Sequence, residues 1–172
     1  MRARAVCLIA IISLAAAPAL ADTPQVLGTF QNWAAYTTGT GDQKVCYALS
    51  QPKATLPKKA KRDPIYFLVS DWPARRAKAE PEIVPGYKYK DGSTATLQVG
   101  AQKFSFFTKN DSGDGSAWVE KQADEAQIVS ALQGAAQAVV TGTSARGTAT
   151  KDTFALAGLS DALDKAHAAC GM

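Results

Sequence analysis

The chain has 172 residues, 47% apolar, 20% charged and 8% aromatic, with three Cys, one His and a formal charge of +4. That length and apolar fraction predict one domain with a real core and exclude a disordered chain. A single His excludes most metal sites and most His-dependent acid–base chemistry.

In chain order, the first feature is an export signal. Arg2 and Arg4 precede an apolar run over residues 6–17, and Pro18-Ala19-Leu20-Ala21 then supplies the small residues a signal peptidase reads. Cleavage after Ala21 is expected, giving a leader at 1–21 and a single mature domain at 22–172 that is periplasmic or secreted. The run has about twelve apolar residues, short of the roughly 20 needed to cross a bilayer. No later segment is longer, so no transmembrane segment is expected. Cys7 lies inside the run and not at the cleavage point, which argues against a lipid-anchored N-terminus. Losing Arg2, Arg4 and Cys7 leaves 17 basic against 15 acidic side chains, a charge of +2. So small an excess predicts no nucleic-acid partner.

Strand signals follow over residues 26–37, 44–50, 64–72, 82–89, 94–99, 102–108 and 117–119. Turn formers separate them: Gly39-Thr40-Gly41-Asp42, Asp91-Gly92, Gly100 and Asp111-Ser112-Gly113-Asp114-Gly115. Residues 123–132 read as a helix, with Asp124 and Glu125 in its first turn and Ile128, Val129 and Leu132 on one face. Two more strands, 139–142 and 148–157, flank a hairpin loop at 142–147. A last helix, capped by Ser160, carries Leu159, Leu163 and Ala166 on one face, with Cys170 one turn on and Gly171 as its C-cap. Short strands at this spacing predict a mainly β protein, an antiparallel sandwich or barrel, with one or two short helices in the C-terminal third.

Cys46 and Cys170 are the mature cysteines, and an even count in an oxidising compartment reads as one disulfide. The bridge would close a loop of about 124 residues, worth on the order of 5 kcal/mol on the chain-entropy model. The alternative is a pair of unpaired buried thiols. His167, in the last turn of the final helix, reads as a C-terminal cap or an exposed side chain. Asn110 to Gly115 resembles half a calcium loop, but Lys121 stands where a bidentate Glu is required, so a β-turn accounts for it. No cofactor or metal motif remains.

Charge is unevenly placed. Residues 51–78 carry Lys53, Lys58, Lys59, Lys61, Arg62, Arg75, Arg76 and Lys78 against Asp63 and Asp71, an excess of +6. Pro52, Pro57 and Pro64 punctuate the first part, which reads as an extended loop. These eight cations form a candidate patch for an anionic partner, provided the connecting strand brings both groups to one end. Among Trp33, Trp72 and Trp118, all expected in the core by default, Trp72 beside Arg75-Arg76 is the candidate recognition aromatic.

The ordered segments Phe30-Gln31-Asn32-Trp33, Val45-Cys46-Tyr47-Ala48-Leu49-Ser50-Gln51-Pro52, Arg62-Asp63-Pro64-Ile65-Tyr66-Phe67 and Gly115-Ser116-Ala117-Trp118 carry a resemblance. It continues through Gly142 to Thr148, Phe154 to Leu159 and Ala162-Leu163 to Cys170. The chain resembles the invasion-associated locus B family of bacterial envelope proteins over residues 27–170. The resemblance implies an exported immunoglobulin-like β-sandwich with no established enzymatic activity, in a family whose name-giving members are linked to entry into host cells. Where many members have a further Cys shortly after the opening Trp, this chain has Tyr36, which leaves only the Cys46–Cys170 bridge. The expected function is a non-enzymatic interaction protein meeting an unknown protein or an anionic envelope or host surface component. The alternative is a small-ligand or inhibitor-type binding domain that uses its end loops.

Overall fold

The computed structural model describes residues 23–111 and 113–172, so the leader expected at 1–21 and its expected cleavage point lie outside the described residues. In chain order the elements are β1 (Gln25–Phe30), β2 (Trp33–Thr38), β3 (Val45–Ser50), β4 (Ala54–Leu56), β5 (Tyr66–Trp72), β6 (Ala77–Val84), β7 (Thr94–Val99), β8 (Gln102–Lys109) and β9 (Ser116–Val119). Helix α1 (Gln122–Gln133), β10 (Gln137–Thr143), β11 (Ala149–Ala155) and helix α2 (Leu159–Cys170) complete the chain. The protein is mainly β with two helices in its C-terminal part, as the sequence predicts.

All strand pairings are antiparallel, in the order β1-β2-β3-β5-β6-β9-β8-β7-β10-β11-β4. Phe67 on β5 and Phe154 on β11 stand six places apart in that order. In a flat sheet they would be roughly 29 Å apart at about 4.8 Å per strand. Their rings are instead 5.5 Å apart, so the sheet folds back on itself and its two halves face each other. The halves are joined through β6 and β9 by only two residue pairs, Glu82 with Trp118 and Ile83 with Ala117. The outcome is a two-layer antiparallel fold whose ladder continues around one corner.

Period-two alternation sets the core face. On β5, Phe67 and Val69 are buried while Tyr66 and Leu68 are half-buried; on β11, Thr150, Asp152 and Phe154 are buried while Ala149 and Lys151 are exposed. Trp33 packs against Phe67 and donates its indole N–H to the Ala155 carbonyl at 3.0 Å, stitching β2 to the opposite layer. Ile128 and Leu132 of α1 join the same core.

Several expectations shift. The strand expected over 26–37 is a hairpin, because Gln31 takes a left-handed φ of 53° and turns the chain. That conformation favours Gly or Asn, so nothing in the sequence signals the turn. The strand expected at 82–89 ends at Val84, and its register lies further N-terminal. The three-residue β4 hides in the Lys- and Pro-containing loop as an edge strand beside β11. Ser160 does not cap α2; Gly158 does, at φ 95°. A Cβ there would fall 1.9 Å from the Phe30 carbonyl oxygen, so only glycine fits.

Helix α2 turns Leu159, Ala162, Leu163 and Ala166 inward, and the Cys46–Cys170 disulfide forms at its C-terminal end, with the Cα atoms 5.9 Å apart. Lys44 donates to the Ala169 carbonyl at 2.5 Å, and Gly171 adopts the left-handed cap. His167 is more than a cap. It is half-buried and shares a 2.6 Å hydrogen bond with Asp71, whose side chain is 2% exposed. The other Asp71 oxygen accepts from the Ala79 N–H, at the irregularity where β6 begins. Replacing both Cys46 and Cys170 with Ala is expected to lower stability by about 3–5 kcal/mol, read as a fall in the urea midpoint at an otherwise two-state transition.

Candidate functional site

The basic run divides into parts with different fates. Lys58, Lys59 and Lys61 are exposed on the loop 57–64 between β4 and β5, and Lys53 is exposed just before β4. Arg62 is not available to a partner. Its side chain is 6% exposed, and Nη1 and Nη2 donate to the two Asp152 oxygens at 2.7 Å each. Nε and Nη2 also donate to the Pro85 carbonyl at 2.8 and 2.5 Å, and the guanidinium lies 4.9 Å from the Tyr87 ring centre. Asp152 points into the core, so a charge-assisted bidentate partner is what that carboxylate needs.

Arg75, Arg76 and Lys78 do not extend the patch, because β5 separates them from the loop by about 20 Å at 3.3 Å per residue. Arg76 and Lys78 are exposed. Arg75 stacks 4.3 Å over the Trp72 ring and pairs with Glu80 at 2.9 Å. Trp72 is therefore half-buried beneath an arginine and not a free recognition face. Its indole nitrogen is buried without a partner.

Cations that the sequence keeps far apart meet at the Arg62 end. A cleft of about 370 Å³ is lined by Lys61, Lys88 and Arg146, with Asp63, Arg62, Tyr87 and Ser144 among its other lining residues. Three segments build it. The N–H of Asp63 donates to the Gly86 carbonyl at 3.0 Å, and that of Ala145 to the Lys88 carbonyl at 2.7 Å. Gly86 has φ 69°, and a Cβ there would lie 2.1 Å from the Asp63 oxygen, so glycine permits the close approach. The Tyr87 hydroxyl bonds Thr150 at 2.6 Å, and Asn110 pairs with both backbone groups of Tyr89 at 2.9 Å each. Asn110, at the start of the calcium-like stretch, thus serves as a backbone clasp. Among the described residues, no group of three or more His, Cys, Asp or Glu is arranged to hold a metal ion.

A second electrostatic feature lies where α1 meets β6. Glu82 sits in register with Trp118 on one side and Leu68 on the other, and burial pushes its carboxyl up to about 7, with Glu80 adding to the rise. Burial, then Glu80, raises Glu125 of α1 to about 6, against a smaller opposing pull from Arg75. Burial also raises the Tyr89 hydroxyl, which has no hydrogen-bond partner.

These features define a class: a two-layer antiparallel β protein whose last helix is locked by a disulfide and whose loop-bearing end opens into a cationic cleft. The family model described as invasion associated locus B (IalB) protein matches residues 33–167, and the chain belongs to that family. The crystal structure of invasion associated protein B from Bartonella henselae is similar in fold, with a TM-score of 0.59 at 16% identity over 86% of this chain and 99% of that one. No curated protein matches the chain. Among the described residues, no helix is long and apolar enough to cross a membrane.

Two outcomes follow from the buried groups. Raised carboxyl groups hold their protons more tightly in the folded state, so their contribution is full below the ordinary value of 4.5 and is lost as pH rises through about 6 to 7. Glu82→Gln is expected to stabilise the protein by about 1–2 kcal/mol at about pH 8 and to change little at about pH 4, measured by urea denaturation at both values. Tyr89→Phe removes an unpartnered hydroxyl and is expected to be neutral or stabilising, whereas Tyr87→Phe, which breaks the bond to Thr150, costs about 1 kcal/mol in the same assay.

Proposed function

We propose that this protein is exported to the periplasm or beyond and acts, without catalysing a reaction, as an interaction protein of the bacterial envelope. In this reading an anionic partner surface meets it at the loop-bearing end. The observation that carries the reading is the cleft that brings exposed Lys61, Lys88 and Arg146 together, with Lys58 and Lys59 exposed on the same loop as Lys61, since exposed like charges attract an oppositely charged surface. Export is supported by the Arg-flanked apolar run ending in Ala19-Leu20-Ala21 and by the Cys46–Cys170 disulfide, a bond that persists in oxidising compartments. The relative from Bartonella henselae bears the description invasion associated, which favours an envelope or host-facing setting for this chain too.

The alternative of a small-ligand domain draws its support from the cleft itself, which is concave and formed by end loops. The two readings separate by what happens outside the cleft. If a surface is the partner, vesicles containing phosphatidylglycerol bind the protein and vesicles of phosphatidylcholine do not. Raising salt from about 0.01 to about 0.1 M shortens the screening length from roughly 30 to 10 Å and should weaken that binding at least several-fold. Reversing Lys58 and Lys59 to Glu should weaken it comparably at low salt. Binding that ignores both salt and the reversal contradicts the proposal.

A further inference from the structure

We propose that the cleft between Lys61, Lys88 and Arg146 is a binding site for a phosphate monoester, carried by a soluble sugar or polyol phosphate or by a lipid headgroup. The inference rests on the reading that this end meets anionic partners and goes beyond it by assigning the chemistry of the group that is gripped.

Arg62 and Asp152 cancel beneath the floor of the cleft, held by two 2.7 Å hydrogen bonds. What faces the opening is Lys61, Lys88 and Arg146 against Asp63, a net charge of +2. None of the three cations has an ion-pair partner among the described residues. A monoester carries about −1.5 to −2 near neutral pH, which matches this excess, whereas a diester or a carboxylate carries one charge and would leave a cation unmatched. Geometry agrees with charge. The cations come from three separate segments, the loop 57–64, the connection after β6 and the β10–β11 hairpin, so they surround a volume instead of lying along a line. A compact tetrahedral group with several acceptor oxygens suits that arrangement better than an extended polyanion. Arginine supplies a forked donor and the lysines supply mobile point charges, a common combination around phosphate.

Rigidity makes the placement useful. Lys61 adjoins Arg62, whose four hydrogen bonds fix the loop. Lys88 is held through its own carbonyl by Ala145, and Arg146 sits in a hairpin closed by Gly147 N–H donating to Ser144 at 2.8 Å. The backbone beneath each cation is thus set before a ligand arrives, which lowers the ordering cost of binding.

The test uses the mature chain, glycerol 3-phosphate as the monoester probe and glycerophosphoglycerol, a diester of charge −1, as the control, with binding read from backbone amide shifts and calorimetry. The expected result is saturable binding of the monoester, with shifts centred on Lys61, Lys88 and residues 144–147. Lys88→Glu and Arg146→Glu should each weaken it by at least about tenfold. Lys103→Glu, an exposed change at the far end of the β7–β8 hairpin, should leave it unchanged. Vesicles bearing phosphatidic acid then separate the sources. Capture of vesicles and soluble probe alike supports a site for any monoester, and capture of vesicles alone, still lost on Arg146→Glu, supports a lipid headgroup. Equal binding of the diester, or indifference to both cleft reversals, overturns the site. If phosphatidylglycerol vesicles still bind in a Lys58- and Lys59-dependent way, only the monoester assignment falls. If they do not, the broader reading falls with it.

Discussion

The core of this fold contains a carboxylate that cannot be left alone. Asp152 sits on the inward face of β11, with its side chain 2% exposed, where an unpaired charge would cost several kcal/mol. Arg62 meets it in a forked pair and also satisfies the Pro85 carbonyl. That requirement governs the surface above it. To deliver its guanidinium, the loop 57–64 must lie against β11 and the Tyr87 segment, and this carries Lys61 to the side of the molecule where Lys88 and Arg146 emerge. A buried demand for neutralisation therefore shapes an exposed concentration of charge.

The opposite layer obeys the same logic. Asp71 is the buried acid of the β5 face, and His167 of α2 answers it at 2.6 Å. In each layer one inward-facing carboxylate ties down a segment that is not part of the ladder: α2 in one case and the basic loop in the other. The disulfide from Cys46 to Cys170 lies beside the first tie, since Cys46 pairs with Asp71 across β3 and β5. Covalent and polar restraints thus converge on the end of α2, while the basic loop is held without a covalent bond, by the ion pair and by hydrogen bonds to the Pro85 and Gly86 carbonyls.

Much of this was legible in the sequence. Period-two alternation marked most strands, and the pair of cysteines outside the N-terminal apolar run together with the inward spacing of Leu159, Leu163, Ala166 and Cys170 marked the bridge. The missing information is long-range. Arg62 reads as one more solvated cation because its partner lies 90 residues away, and an isolated Asp152 between Lys151 and Thr153 reads as part of a polar strand face. Arg75 and Trp72 look like a recognition pair in sequence because adjacency does not reveal that one covers the other. The cleft needed three separate segments to be docked before its cations became neighbours. Only Lys61 among its three cations belongs to the basic run. The hairpin at Gln31 was hidden for a local reason, since a residue that seldom takes positive φ makes the turn.

The central claim is that Arg62 is a structural counter-charge and not a surface cation. A double-mutant cycle in urea denaturation, using Arg62→Met, Asp152→Leu and the pair together, addresses it directly. Each single change strands a buried charge and is predicted to cost about 3–5 kcal/mol, while the double change recovers most of that loss through a coupling of at least about 2 kcal/mol. Small, additive effects of the two single changes would contradict the account.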